Sequence, residues 1–230
     1  MTERPLSDSR SRTALLALHD KSLNFEPPDA DADLASHGWR LDDYCQPLPQ
    51  EPPGPPVDGG SWEIARRLML SYEFADPKII SAVFEDDSPL EGRDMLLKAR
   101  FWGLSFDLGV RVGGVVDETR RTERGPVRVW GWSYRTLQGH LEAGQMDYEV
   151  WKWHDSGKVE FRIQAYSRPA SIPNPVVRLG FRLFGRREQL KFARHACHRM
   201  ARLTAERLGT ALPGPPVESA GESISVSSRI

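Results

Sequence analysis

The segment Lys158-Val159-Glu160-Phe161-Arg162-Ile163-Gln164-Ala165-Tyr166-Ser167-Arg168 carries the sharpest structural signal in the chain. Val159, Phe161, Ile163 and Ala165 alternate with Glu160, Arg162 and Gln164. That is the period of a strand with one apolar and one polar face. Before it, His154-Asp155-Ser156-Gly157 has turn chemistry, and Gln145–Trp153 reads as the other arm of a hairpin. Further upstream, Met95–Trp102, Leu104–Glu118 and Val127–Arg135 are strand-like, with Leu104, Phe106, Leu108, Val110 and Val112 on one face. Downstream the period changes. After Pro169 and Pro173-Asn174-Pro175, Val176–Phe184 reads as helical or irregular and is interrupted at Gly185. Arg187–Leu208 then places Ala193, Ala196, Cys197, Met200, Leu203 and Leu208 at helical spacing, and Gly209 is a natural stop. Strands followed by one long helix predict an α+β fold, a curved antiparallel sheet packed against a C-terminal helix. An apolar cavity between sheet and helix is a common result of that shape.

The flanks read differently. Residues 1–60 are expected to form an N-terminal extension, with a short helix near Thr13–His19. A strap rich in proline and acid follows, ending in Pro52-Pro53-Gly54-Pro55-Pro56. Phe25, Trp39 and Tyr44 are the strap residues expected to lie on the domain. Residues 61–209 form the predicted domain. It begins with a strand over Ser61–Phe74 and a short helix over Lys78–Phe84, capped by Asp76 before Pro77. Residues 210–230, with Pro213-Gly214-Pro215-Pro216 and many serines, are expected to be a disordered tail.

The 230 residues carry a formal charge of -1, 39% hydrophobic residues and seven tryptophans, enough for one good core. Charge is unevenly spread. Asp29, Asp31, Asp33, Asp42, Asp43 and Glu51 lie early, whereas Arg178, Arg182, Arg186, Arg187, Lys191, Arg194, Arg199, Arg202 and Arg207 lie late. The basic residues go around the C-terminal helix rather than along one stripe, and no nucleic-acid-reading motif accompanies them. Nucleic acid is therefore not expected as a partner, while an acidic partner at this helix is one reading. Pairing with the acidic N-terminal region is the simpler one. Cys45 and Cys197 form no disulfide framework and suit a reducing cytosol. The apolar run Ala14–Leu18 is too short for a leader, and nothing approaches a membrane span. A cytoplasmic protein without cofactor or metal is expected.

The chemistry concentrates in Gly131-Trp132-Ser133-Tyr134-Arg135-Thr136-Leu137-Gln138-Gly139-His140-Leu141-Glu142-Ala143-Gly144. Two glycines allow a turn between strands. His140 and Glu142, two apart, point to one side if extended, and such a pair can act as general base. Hydrogen bonds to loop backbone are the simpler use. The His-x-Glu spelling of zinc deaminases requires a downstream Pro-Cys-x-x-Cys that is missing here. His195 and His198, three apart on a helix, lack further ligands in sequence. Ser167 lacks a nucleophile elbow. Arg168 reads as a guanidinium that satisfies carbonyls, pairs with Glu142 or Glu149, or grips a ligand anion. The aromatics Trp130, Trp132, Tyr134, Tyr148, Trp151, Trp153 and Tyr166 read as core packing and pocket wall at once, with Trp151 and Trp153 on an outer face beside Asp147 and Glu149.

This motif, with Ser167-Arg168-Pro169 and the basic helix, resembles the DUF1990 family of bacteria and plants, whose pattern reads roughly Gly-Tyr-x-Tyr-Gly-Thr-Leu-x-Gly-His-x-Glu-x-Gly-Glu-Glu. Tyr134, Thr136, Leu137, Gly139, His140, Glu142 and Gly144 match it. Arg135 stands where the pattern has glycine, and Gln145-Met146 where it has paired acids. The resemblance covers most of residues 61–205. It implies a helix-grip, Bet v 1-like architecture and brings no established activity.

Three functions follow as expectations. The first is binding of a small, largely apolar ligand between sheet and helix, oriented by Tyr134, Thr136, His140, Glu142, Tyr148, Tyr166 and Arg168. The second is a hydrolase- or isomerase-like enzyme using His140 and Glu142 as catalytic pair in the same cavity. The third is an interaction module using the basic helix.

Overall fold

In the computed structural model, residues 9–29, 34–35, 37–101, 104–171 and 175–219 are described, with side chains for all of them except 101, 175–184 and 219. The elements run α1 (Ser9–Leu16), β1 (Arg40–Leu48), α2 (Ser61–Leu70), β2 (Ile80–Val83), β3 (Asp94–Phe101), β4 (Leu104–Thr122), β5 (Gly125–Thr136), β6 (Glu142–Trp153), β7 (Val159–Pro169), α3 (Pro175–Leu208) and β8 (Val217–Ser219). The strands form one antiparallel sheet in the order β2-β3-β4-β5-β6-β7-β1-β8. The curved sheet holds α3 against its concave side, with α2 beside it, so the helix-grip α+β architecture is present.

The alternation of β5, β6 and β7 sets the two faces. Trp130, Trp132, Tyr134, Tyr148, Val150, Phe161 and Ile163 join the concave core, where they meet Trp62, Leu68 and Met69 of α2. Phe192, Ala193, Ala196, Cys197, Met200 and Ala201 close it from α3. The small residues among these let the helix axis approach the sheet. At the far end Lys152 is fully buried, with its Nζ 3.6 Å from Glu51 Oε2 and donating to Pro52 O at 2.5 Å. The other oxygen of Glu51 accepts the Trp62 N–H at 2.8 Å, so a carboxylate from the connecting segment caps α2. Gly157, at φ +73°, belongs to this joint. A side chain there would meet Glu51 O at 2.0 Å.

Several elements differ from the sequence expectations. Ser61–Leu70 is a helix, not a strand. Trp62, Ala65, Leu68 and Met69 bury one side, and Glu63 pairs with Arg67 one turn on at 3.1 Å. Apolar residues this dense fit either period. The expected helix over Lys78–Phe84 is a turn followed by β2. Asp76 Oδ1 accepts the Lys78 N–H at 2.9 Å, and the chain then pairs with β3 from Ile80↔Ala99. β-branched Ile79, Ile80 and Val83 favour that outcome. The proline-rich strap contains β1, which pairs with β7 from Arg40↔Ser167 to Leu48↔Val159. Asp42, Asp43 and Pro47 hid its alternation of Tyr44, Gln46 and Leu48. Pro47 is tolerated because β8 pairs only Asp43, Tyr44 and Cys45, leaving that flank an edge. β8 itself lies in the predicted tail, whose residues 220–230 are outside the described ones. α3 runs unbroken through Gly185. Phe25 and Trp39 do lie on the domain, packed on the convex side with Tyr166.

Candidate functional site

Thr136 ends β5 and Glu142 begins β6, so the motif loop sits at one end of the sheet, opposite Glu51. It is tied down from outside. Gln138 N donates to Ser22 O at 3.0 Å, and Asn24 Nδ2 to Glu142 O at 2.7 Å. Thr136 Oγ1 donates to Asn24 Oδ1 at 2.6 Å and accepts the Gly144 N–H at 3.0 Å, so its hydroxyl is consumed in the loop. Gly144 permits close contact with β7, since a Cβ there would lie 2.1 Å from Tyr166 O.

His140 also serves the loop. Its Nδ1 lies 3.0 Å from both the N–H and the carbonyl oxygen of Glu142, accepting from the first or donating to the second according to the tautomer. Burial pushes the imidazole down to about 4. The ring therefore contacts the backbone of Glu142. The Glu142 carboxylate turns instead to α3, where Gln189 Nε2 donates to it. Burial raises this carboxyl to about 7, against the opposing effect of Gln189. Gln189 Nε2 is also 3.3 Å from Ser167 Oγ, and its Oε1 is buried without a hydrogen bond.

These groups line a small cavity between the sheet and α3. Its wall includes Tyr44, Tyr134, Met146, Ile163, Ala165 and Ala193, and its enclosed space is about 50 Å³. Deeper in, Tyr148 Oη lies 2.9 Å from Met146 Sδ and 3.5 Å from Tyr134 Oη. Burial pushes the Tyr134 phenol up to about 12 and Tyr148 well above its ordinary value. Beside the mouth, Arg186 grips Asp42 through both Nη atoms at 2.5 Å.

The structure thus brings Tyr134, Thr136, His140 and Glu142 to one cavity, with Tyr148 one row behind. Tyr166 also borders the cavity, but its ring is turned away from it, and Arg168 stands apart. Both side chains belong to the convex face, where Tyr166 packs edge-on to Trp39 at 5.1 Å and Arg168 lies 4.3 Å above the same ring. Arg168 is thus not the partner of Glu142 or Glu149. Glu149 instead accepts from Arg120 at 3.1 Å. Gln189, Asp42 and Tyr44 are lining residues that the sequence reading missed. Only the charge asymmetry hinted at Asp42, as a partner for Arg186.

A second, larger depression of about 370 Å³ lies on the convex face over β4, β5 and β6. It opens where β4 bulges between Val112 and Gly114. Arg135 and Gln145, two of the departures from the family pattern, face each other across strands here. Arg135 Nε donates to Gln145 Oε1 at 2.8 Å. Gln145 Nε2 donates to Asp147 Oδ1 at 2.9 Å. Burial raises the Asp147 carboxyl to about 7. Met146, the third departure, points the other way, to the tyrosines of the cavity.

On the basic helix, Arg194 pairs with Glu218 at 2.6 Å, Arg207 with Glu73 at 2.9 Å, and His195 lies 3.8 Å from Asp76. Among the described residues no group of three or more His, Cys, Asp or Glu side chains is placed to hold a metal ion. No helix among them is long and apolar enough to cross a membrane.

Comparison with curated protein sequences finds no match. Among solved structures, the crystal structure of Ara h 8.0201 is similar at 8% identity and a TM-score of 0.41, covering 75% of this chain and 100% of that one. The crystal structure of human STARD10 is similar at 11% identity and a TM-score of 0.33, covering 93% and 87%. The family model for DUF1990, a domain of unknown function, matches residues 28–199. The match takes in the strands that carry the motif loop and the face of α3 that closes the cavity, and this chain belongs to the DUF1990 family.

Proposed function

We propose that this chain binds a small, largely apolar molecule in the cavity between sheet and α3, with a polar end directed at Glu142 and Gln189. One observation carries the reading. In an apolar wall, a carboxyl that keeps its proton to about pH 7 and an unpartnered amide oxygen converge at one spot. A few convergent polar groups in an apolar pocket are the usual mark of a ligand site. Gln189 Oε1 calls for a hydrogen-bond donor on the ligand, since a buried acceptor left alone costs about 1–3 kcal/mol. A space of about 50 Å³ holds little more than water, so entry of an organic ligand requires the Gln189 side chain and α3 to give way. Two free thiols fit a reducing, cytoplasmic setting for this binding.

Native mass spectrometry of the undenatured full-length protein tests the reading, together with titration of the apolar fluorophore 1-anilinonaphthalene-8-sulfonate. A discrete added mass that is lost on denaturation, or saturable fluorophore binding that Ala193→Leu blocks, is expected. A bare protein mass with no saturable binding of the fluorophore overturns it.

The Glu142 carboxyl also favours a second reading, acid–base catalysis in the same cavity. In that case Glu142, rather than His140, moves the proton, because His140 Nδ1 is already engaged by backbone. Turnover of an ester or ketone panel that vanishes in Glu142→Gln but survives His140→Gln would distinguish it. An acidic partner on α3 would have to displace Asp42, Glu73 and Glu218 from its arginines.

A further inference from the structure

The convex depression brings opposite charges close without letting them pair. Arg135 and Asp147 are diagonal neighbours on β5 and β6, within reach of one another. Gln145 stands between them. Its amide oxygen takes the guanidinium Nε at 2.8 Å, and its amide nitrogen donates to the carboxylate at 2.9 Å. Tyr166 Oη, 3.3 Å from the same oxygen, completes its coordination and fixes the amide from behind. Among the described residues, neither Nη atom of Arg135 nor Oδ2 of Asp147 makes a hydrogen bond within the chain. Ser133, directly opposite Asp147, has a free hydroxyl in the same sense.

The remaining charges around the depression are already matched. Asp117 pairs with Arg128, and Glu118 and Glu149 share Arg120. Backbone shape adds to the site. The Arg135 side chain lies across Gly113, where a Cβ would come 3.1 Å from its Nε. A side chain at that bulge would push the guanidinium away.

We propose that this depression is a binding site for a free α-amino acid, with its carboxylate on the Arg135 Nη atoms and its ammonium on Asp147 Oδ2 and Ser133. The fit is one of topology. A carboxamide holds its oxygen and nitrogen on one carbon, and an α-amino acid sets its two charges one atom further apart. Lying alongside Gln145, it presents a negative group to the cation and a positive group to the anion. Guanidinium and carboxylate are the strongest partners available for those groups. The volume of about 370 Å³ leaves room for a side chain toward Val116. The site lies on the opposite side of the sheet from the cavity proposed above and stands or falls independently of it.

The test is calorimetric titration of the full-length protein with glycine, L-leucine, L-glutamate and L-lysine, each beside its N-acetyl and carboxamide derivatives. At least one free amino acid is expected to saturate the protein below about 10 mM. Both derivatives of it should bind about tenfold weaker or worse, since each loses a charge-assisted contact. Asp147→Asn and Arg135→Gln should each weaken binding similarly. Gln145→Ala should abolish it without lowering the melting temperature, because the released guanidinium and carboxylate close on each other. Failure of all four amino acids to saturate below about 10 mM overturns the proposal. So does equal binding of the derivatives, or unchanged affinity in Asp147→Asn and Arg135→Gln. Should Gln145→Ala fail to fold, those two variants and the derivatives still decide the matter.

Discussion

On the concave side of the sheet, Phe161, Tyr148 and Val150 are entirely buried, and the polar atoms among them are few. On the convex side of the same strands, Trp151 lies between Arg162 at 3.9 Å and Arg120 at 5.5 Å, with Glu149 and Glu160 completing a ladder of charge. One strand thus feeds two environments through alternate residues. The concave side derives its stability from area removed from water, at about 25 cal/mol per Å². Around Trp151 the convex side is held by cations over rings and by pairs that stay half in solvent, each worth about 1 kcal/mol or less. Buried packing and exposed charge thus alternate along these strands. A substitution should reveal which face it touches by its size.

Phe161→Ala is the most severe test, with an expected loss of about 4 kcal/mol in denaturant unfolding. Trp151→Ala, ten residues earlier on the other face, should cost about 1 kcal/mol because its partners remain solvated. Equal losses would end the distinction. Glu51→Ala comes next, at about 3 kcal/mol, since it strands the buried Lys152 ammonium and uncaps α2. Lys152→Met combined with Glu51→Gln should recover much of that loss in the same assay.

Acid–base behaviour refines the comparison. The Glu142 carboxyl is raised from 4.5 to about 7 by burial, so the folded chain holds a proton that the unfolded chain has released. Its contribution is therefore full below pH 4.5 and lost as pH rises through 7. His140, lowered from 6.5 to about 4 by burial, acts in the opposite sense, and its contribution is lost as pH falls through that window. Glu142→Gln should then stabilise the protein at pH 8, by about 1 kcal/mol after allowance for solvent at the cavity mouth, and leave it unchanged at pH 4. A gain at both pH values would mean that packing, not charge, is responsible. The smallest effect belongs to neither face. Arg202→Ala on the solvent side of α3, where Arg202 meets Glu206 one turn on, should move the melting curve by no more than about 0.5 kcal/mol.

Much of this division was legible in the sequence, because alternation is a local property. Val159 to Ala165 against Glu160 to Gln164 announces both faces of β7 before any partner is known. The long helix and the motif loop are legible for the same reason. What escaped depended on distant partners. β1 looks like a strap, since Asp42, Asp43 and Pro47 are poor strand residues until β7 and Arg186 are placed beside them. α2 looks like a strand, since its cap is a carboxylate ten residues upstream. At the site, the side chains of Tyr134, Thr136, His140 and Glu142 come together at one cavity. Tyr166 and Arg168 do not, because the strand places Ala165 and Ser167 inward and them outward. Gln189 could not be singled out, because nothing in a helical glutamine marks which strand residue it will meet.

The place of β1 has a consequence for how the molecule is made. Of the described strands it is made first, and it is among the last to find its seat, because β7, its partner along its whole length, is synthesised after β2 to β6. Until then Tyr44, Gln46 and Leu48 have no concave face to enter. The nascent chain must carry them unpaired while a six-stranded sheet assembles behind them. The prolines and acids that disguise this strand in the sequence then act as a safeguard, keeping an early, waiting edge from pairing with the wrong neighbour.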